Sequence, residues 1–207
     1  MKTNLFIIGA AKSGSTSLYH YLNQHPEICM PRKETCYFDS QSKKAKDKEF
    51  IEYQSEDYFK LFSQCTSEQI KARGEATPSY LYSHKEVIPR IKREIGDPKI
   101  IIILRNPPDR AYSNYSFYAR GNRENRDFDT AVSQEINGRD HPSYFGNYVT
   151  QSLYYQQVKA YLDHFPHVRV YLTEDLKSDA LAVCRDIFSF LEVNPDFEPD
   201  IKTETNR

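Results

Sequence analysis

The chain has 207 residues, a length that is most simply one domain with a sizeable hydrophobic core. Its formal net charge is −1, so no general basic field indicates binding to nucleic acid. The mean hydropathy of −0.73, and the lack of an apolar stretch long enough to cross a bilayer, predict no membrane span.

Predicted strands and helices alternate along the chain, which is typical of a parallel α/β sheet. The predicted strands are residues 5–8, 28–30, 70–75, 99–104 and 168–172. The predicted helices are residues 16–23, 49–62, 87–95, 152–165 and 181–191, with another after the cap residue Asn106, where Pro107 and Pro108 suit a first turn. A charge run at 43–48 indicates a solvated face. We expect an α/β fold: one P-loop-like domain, residues 1–207, with a central parallel sheet flanked by helices.

The first predicted strand leads into a glycine-containing loop, GAAKSGS, and then a helix. Such a turn directs backbone N–H groups and a helix N-terminus at one anion of phosphate size. The spacing from Gly9 to Gly14 is that of a nucleotide P-loop, in which Lys and then Ser or Thr follow the second glycine. Here Ser15 and Thr16 follow, and the lysine is Lys12, inside the loop. The loop can still contact a phosphate-like group, but the usual metal-holding arrangement is lost.

The strand KIIIIL, residues 99–104, is the clearest buried strand, and it is followed by Arg105. Ligands lie at the C-terminal ends of strands in such sheets, and a P-loop NTPase usually carries an Asp there to hold Mg²⁺. Because Arg105 is a cation and not a metal ligand, we expect this strand end to bind a second anionic group instead of Mg²⁺. Arg110 and Ser113 follow, three residues apart on one helix face. The alternative is a capping arginine beside a solvated helix face.

These residues resemble motifs of a known family. GAAKSGSTSL and LRNPPDRAYSNY are similar to the 5′-phosphosulfate loop and the 3′-phosphate motif of PAPS-dependent sulfotransferases. PRKETCYFDS and GEATPSYLYS resemble connecting segments of the branch that includes bacterial and heparan-sulfate-type carbohydrate sulfotransferases. The resemblance implies transfer of a sulfonyl group from PAPS to a hydroxyl or amine of a carbohydrate or small metabolite, giving PAP, in line and without a metal.

The resemblance also implies roles for individual residues. The 5′-phosphate and the sulfonate would be held by Lys12 and the backbone N–H groups of Ser13, Gly14, Ser15, Thr16 and Ser17. Arg105 and Ser113 would bind the 3′-phosphate, and Glu34 would be the catalytic base. Sulfonyl transfer needs a base near the acceptor and positive charge on the departing phosphate, which Lys12 would supply. Alternatively, Glu34 is an exposed loop charge or an ion-pair partner of Lys33 or Arg32.

Two departures from the family pattern limit the analogy. Heparan-type enzymes have a lysine where this chain has Ala76, so a second cation at the reacting centre is missing or comes from elsewhere. Family members also continue beyond the last helix with a basic loop that closes over the nucleotide. The chain stops at Arg207, so either the protein is shortened or this closing loop is absent from the sequence. Two further functions stay open: a nucleotide kinase or NTPase, and an inactive module that binds PAP or PAPS.

The acceptor is not specified by the sequence. His25 follows the first predicted helix, and structural capping is the favoured interpretation over a place in the cleft. Arg120, Arg123 and Arg126 are interpreted as an ordinary solvated loop, with recognition of an anionic acceptor as the alternative. For four tyrosines two expectations stay open, namely that they line a cleft facing a sugar or lipid, or that they pack against the sheet: Tyr144, Tyr148, Tyr154 and Tyr155.

The four cysteines, Cys29, Cys36, Cys65 and Cys184, show no C-x-x-C spacing, so neither a zinc site nor a redox pair is indicated. We expect free thiols in a reducing compartment. The N-terminal apolar run is about seven residues long and merges into the loop, which argues against a signal peptide. These observations predict a cytoplasmic protein.

Overall fold

Five parallel strands form one sheet in a computed structural model that describes residues 3–40, 55–139 and 146–202. The strands are β1 (Leu5–Ile7), β2 (Ile28–Cys29), β3 (Ala72–Ala76), β4 (Lys99–Leu104) and β5 (Val168–Leu172). Their order across the sheet is β2-β3-β1-β4-β5, so the first strand lies at the centre. The predicted parallel α/β sheet is confirmed, and the C-terminal ends of β3, β1 and β4 meet at one edge.

The helices cover both faces of the sheet. They are α1 (Ser15–Leu22), α2 (Ser55–Lys60), α3 (His84–Glu94), α4 (Pro107–Arg120), α5 (Phe128–Ile136), α6 (Tyr154–His164), α7 (Thr173–Ser178) and α8 (Ala180–Leu191). Short 3₁₀ turns occupy Leu61–Gln64, Pro78–Tyr80 and Thr150–Ser152. Helices α5 and α7 were not predicted. The charge run at 43–48 and the first part of the predicted helix 49–62 lie outside the described residues.

The core consists of two apolar layers, one on each face of the sheet. Successive strand side chains point to opposite faces, so Ile101 and Ile103 of β4 pack in one layer, with α1 and α8. Ile100 and Ile102 pack in the other layer, with α3 and α6. Burial on both faces explains why β4 is a continuous apolar run. In the described part of the chain, no helix combines the length and apolar character needed to cross a bilayer.

A glycine is required where β1 ends. Gly9 has a φ of 139°, and a Cβ there would lie 2.6 Å from the carbonyl oxygen of Pro78 and 2.9 Å from the Cβ of Leu81. Any side chain would therefore push the loop away from the 3₁₀ turn after β3. Close approach of these two segments places the loop and the end of β3 side by side.

The prediction of free thiols was wrong for two of the four cysteines. Cys29 of β2 and Cys65, just after the first 3₁₀ turn, form a disulfide with a Cα–Cα distance of 5.8 Å. The two are 36 residues apart, so only the fold brings them together and no local spacing reveals the pair. Cys36 and Cys184 are buried and take no part in this disulfide. Disulfides are typical of oxidising compartments, in contrast to the predicted reducing one.

Candidate active site

The loop between β1 and α1 is fixed by its neighbours. The Ala10 N–H donates to the Ile103 carbonyl, and the Ile103 N–H donates to the Gly9 carbonyl, both at 2.6 Å. The Thr173 hydroxyl of α7 donates to the Ser13 carbonyl at 2.6 Å. Residues 13–17 therefore enter α1 along a defined path. The first-turn N–H groups of a helix lack intrahelical partners, so this end of α1 attracts an anion.

Lys12 lies at the tip of the loop in the left-handed region, with a φ of 67°. Its ammonium nitrogen is 4.4 Å from the centre of the Phe117 ring of α4. Burial lowers the pKa of Lys12, and nearby cations lower it further, while the Glu34 carboxylate opposes them. These cations are, in order of effect, Arg120, Lys33 and Arg105. Lys12 thus lies near the cation Arg105 and the carboxylate Glu34, in one cluster of charged side chains around the loop.

Arg105 has an unused donor beside the loop. One terminal nitrogen donates to the Lys12 carbonyl at 3.4 Å, and the Arg105 carbonyl accepts from the Tyr154 hydroxyl at 3.1 Å. The Nε atom is buried and has no hydrogen-bond partner among the described residues. A buried, unpaired guanidinium donor is unfavourable unless a ligand completes it. An anion beside the loop would satisfy Arg105, so the residues present fit a phosphate-bearing nucleotide.

Arg110 does not share this site, and the prediction that it helps bind an anion there was wrong. Its fully buried guanidinium donates to the Ser152 hydroxyl at 2.6 Å and to the Tyr148 carbonyl at 2.5 Å. It therefore anchors α4 to the segment before α6. The spacing alone does not distinguish an arginine that faces the interior from one that faces a ligand. Ser113 is half-buried on α4, and its contact with a 3′-phosphate stays a prediction.

Glu34 is held at the same edge of the sheet as Lys12. Lys33 forms an isolated parallel bridge with Ala76, and the Glu34 N–H donates to the Ala76 carbonyl at 2.8 Å. Glu34 itself has a φ of 57°, and its carboxylate is 2.8 Å from the Lys33 ammonium. The ion pair with Lys33, which the sequence offered as the alternative to the base role, is therefore present, and the base role stays a prediction. Because β3 lies beside β1, this bridge carries Glu34 towards the loop.

Cations from other elements lie near Lys12, although β3 carries Ala76 where heparan-type enzymes have a lysine. Ala76 is fully buried in β3, and Lys33 is in register with it. Lys33 and Arg120 both lower the pKa of Lys12, so both lie close enough to act on the same centre. The structure therefore favours the alternative that the second cation comes from elsewhere.

Sequence reasoning missed a buried carboxylate next to Glu34. Glu75 is fully buried in β3 and accepts hydrogen bonds from four hydroxyl groups. The donors are Thr77 at 2.7 Å, Tyr58 at 2.9 Å, Tyr80 at 3.2 Å, and Thr35. Burial raises the pKa of Glu75, and the four hydrogen bonds lower it. The hydroxyl-rich stretches around Thr35 and Thr77 were the only local signal.

Other candidates have structural roles. His25 is buried, with Nε2 3.0 Å from the Asn194 carbonyl and Nδ1 accepting from the Glu27 N–H at 3.0 Å, so the structural interpretation is confirmed. Arg126 is held by Glu124 at 2.6 Å and by Gln134 at 2.8 Å, so it is not an ordinary solvated residue. The hydroxyl of the buried Tyr148 also donates to Glu124 at 3.0 Å. Tyr144 lies outside the described residues.

The chain is similar to several known proteins. The sequence profile of the sulfotransferase domain matches residues 2–205. The chain is similar to a crystal structure of a sulfotransferase from Alicyclobacillus acidocaldarius, with 34% identity and a TM-score of 0.84 over 100% of this chain and 87% of that one. It is 37% identical over 125 residues to the membrane-associated sulfotransferase kil1 of Dictyostelium discoideum, covering 59% of this chain and 24% of that protein. A match to heparan sulfate glucosamine 3-O-sulfotransferase 5 of Mus musculus is 32% identical over 123 residues, 59% of this chain and 33% of the relative. The matches therefore span a third or less of these two relatives' lengths.

Proposed function

The chain belongs to the sulfotransferase family, and on that premise we propose that it transfers a sulfonyl group from PAPS to a hydroxyl or amine of a carbohydrate or small metabolite. The observation that carries the proposal is the meeting of Lys12, Arg105 and Glu34 at one edge of the sheet. This edge offers positive charge for the nucleotide and a carboxylate for the acceptor. Both requirements of sulfonyl transfer are thus present within one site.

The nucleotide would lie across the ends of β1 and β4. The N–H groups of residues 13–17 and the Lys12 ammonium would hold its 5′-phosphate and sulfonate. Arg105 and Ser113 would bind its 3′-phosphate. The buried and unpaired Arg105 Nε supports this role, because an anionic oxygen would supply the missing acceptor.

In the proposed reaction the acceptor oxygen or nitrogen attacks sulfur while the bond between sulfur and the bridging phosphate oxygen breaks. Glu34 takes the proton of the acceptor, and Lys12 stabilises the negative charge that develops on the departing phosphate of PAP. Lys33, 2.8 Å from Glu34, holds the carboxylate in place before the acceptor arrives. No step in this scheme requires a metal ion.

The alternatives have specific weaknesses. A kinase or NTPase would need a Mg²⁺ ligand at the end of β4, where this chain carries Arg105. An inactive module would bind PAP without transfer to any acceptor, and an intact Glu34 beside Lys12 argues against it. We propose that residues 1–207 act as one sulfotransferase domain. The cytoplasmic location stays a prediction, and the Cys29–Cys65 disulfide favours an oxidising compartment instead.

The proposal is tested by screening sugars, phenols and aliphatic alcohols with sulfur-labelled PAPS. Once an acceptor is found, Glu34→Gln should lower turnover by about a hundredfold or more, because the amide keeps the shape but takes no proton at neutral pH. PAP affinity should change little. Glu56 lies at an exposed position of α2, so Glu56→Gln is a matched control that should keep full turnover. Full activity of Glu34→Gln would move the base to another residue, and magnesium-dependent ATP turnover would support an NTPase.

A further inference from the structure

Glu75 is a buried carboxyl group that the proposed reaction does not use. It pairs in register with Phe6 of the central strand and has 0% exposure. Within the part of the chain that the structure describes, no cation forms an ion pair with it. Its two oxygens instead accept from four hydroxyl groups, those of Thr35, Tyr58, Thr77 and Tyr80. Such a carboxylate is retained in a core only when its hydrogen bonds are satisfied.

Three of these hydroxyls also face the segment that carries Glu34. A hydroxyl has one proton to donate, so a hydroxyl that donates to Glu75 presents its lone pairs to other groups. The Cys36 N–H donates to the Thr77 hydroxyl at 3.5 Å, and the Tyr37 N–H donates to the Thr35 hydroxyl at 3.3 Å. The Phe38 N–H donates to the Tyr80 hydroxyl at 3.2 Å. Glu75 thereby fixes the direction of the hydroxyls that hold the backbone of residues 36–38.

The same segment needs to be held, because its backbone is strained. Glu34 and Cys36, on either side of Thr35, have φ values of 57° and 50°. Left-handed conformations are unfavourable for residues with a Cβ and persist only where the surroundings impose them. The contacts that impose them here are the Ala76 carbonyl, which accepts from Glu34, and the hydroxyls bound to Glu75.

We propose that Glu75 is a positioning residue of the active site, acting through Thr35, Thr77 and Tyr80 on the conformation of residues 34–38. Its oxygens accept the protons of the three hydroxyls, so the lone pairs of these hydroxyls accept from the strained segment and keep it in the form that directs Glu34 towards Lys12. Glu75 touches neither PAPS nor the acceptor. This inference rests on the proposed role of Glu34 as the base.

The test is Glu75→Gln. Its amide group has two donor protons, so at least one hydroxyl must turn its proton away from residue 75 and accept from the amide instead, which disturbs the bond between that hydroxyl and the segment. Turnover should fall about tenfold or more while the KM for PAPS and the affinity for PAP change less than about twofold. Hydrogen exchange of the backbone amides of residues 36–38 should become about tenfold faster or more.

Glu27→Gln is the matched control. Glu27 accepts from the Asn194 N–H at 2.6 Å and pairs with Lys71 at 2.5 Å, next to the start of β2 and thus at the opposite edge of the sheet. It should change neither turnover nor the exchange of residues 36–38. A general loss of stability in Glu75→Gln would instead accelerate exchange throughout the sheet and not only at residues 36–38.

A second pair of variants keeps the inference testable if Glu75→Gln does not fold. Thr35→Val removes the hydroxyl at nearly constant shape and should reproduce the loss of turnover, whereas Thr35→Ser should keep most of it. Unchanged exchange at residues 36–38, or unchanged turnover, in Glu75→Gln or Thr35→Val would overturn the inference. The exchange measurement needs no acceptor, so it tests the positioning role of Glu75 independently of the base role of Glu34. A fully active Glu34→Gln would instead show that Glu34 is not the base.

Discussion

Replacing Arg105 with alanine tests the nucleotide site most directly. Its Nε is buried and has no partner in the described part of the chain, so the proposed 3′-phosphate would supply a charge-assisted hydrogen bond that nothing else provides. Such a bond contributes about 1.5 to 3 kcal/mol. Since about 1.4 kcal/mol is a factor of ten, the affinity for PAP should fall about 10- to 150-fold.

Calorimetry with PAP and AMP isolates this contact, because AMP lacks the 3′-phosphate. The wild-type protein should bind PAP far more tightly than AMP without Mg²⁺, and Arg105→Ala should lose most of that preference while its AMP affinity changes little. Arg93→Ala, an exposed arginine of α3 paired with Glu94, is the control and should leave both affinities unchanged. Equal losses for PAP and AMP would refute the reasoning. Arg105 would then act by supporting the Lys12 carbonyl rather than by contacting the nucleotide.

The remaining predictions concern Lys12 and Glu124. Lys12→Ala should lower turnover about a hundredfold or more and should lower PAP affinity much less. In the wild-type protein, turnover should decline with rising pH at a pH below the range in which lysines usually titrate, because burial and neighbouring cations lower the pKa of Lys12. Near-normal turnover of the variant would show that Lys12 only positions the ligand. The hydrogen bonds from Arg126 lower the pKa of Glu124 to about 2, so its stabilisation is complete above its ordinary pKa and is lost as pH falls towards 2. Urea unfolding should show about 1 to 2 kcal/mol of this loss between pH 5 and pH 2.5, a value below the full shift because Arg126 is partly exposed, and Glu124→Gln should not show it. An identical acid dependence in that variant would assign the loss to other carboxylates.

The sequence predicted the elements whose signals are local. The strands 99–104 and 168–172 were predicted with the bounds that the structure shows, because Pro98 and Arg105 flank the first and His167 and Thr173 flank the second. Helix α5 was missed although its Asp127 cap accepts from the Thr130 N–H at 2.8 Å. Helix α7, TEDLKS, follows β5 directly and carries no apolar repeat long enough to reveal it.

Within the site, too, the features with a local sequence signal could be predicted and those that depend on distant residues could not. Arg105 follows β4 directly and Lys12 lies in the loop after β1, and the C-terminal ends of the two strands meet, so their convergence could be predicted. The hydroxyl cage of Glu75 could not, since Thr35 is 40 residues away from it in sequence and Tyr58 is 17 residues away. The inward direction of Arg110 likewise depends on Tyr148 and Ser152, which approach only in the folded chain.

The Cys29–Cys65 disulfide has a consequence for how the chain tolerates cleavage. Glu34 lies between the two cysteines, so the bond closes a covalent ring that contains the proposed base and starts at the edge strand β2. A protease that cuts the backbone once anywhere inside this ring leaves both fragments joined through sulfur. Such a nicked protein would migrate as two pieces on a gel only after reduction, and before reduction both fragments, including the one that carries Glu34, would remain joined through the bond between β2 and Cys65.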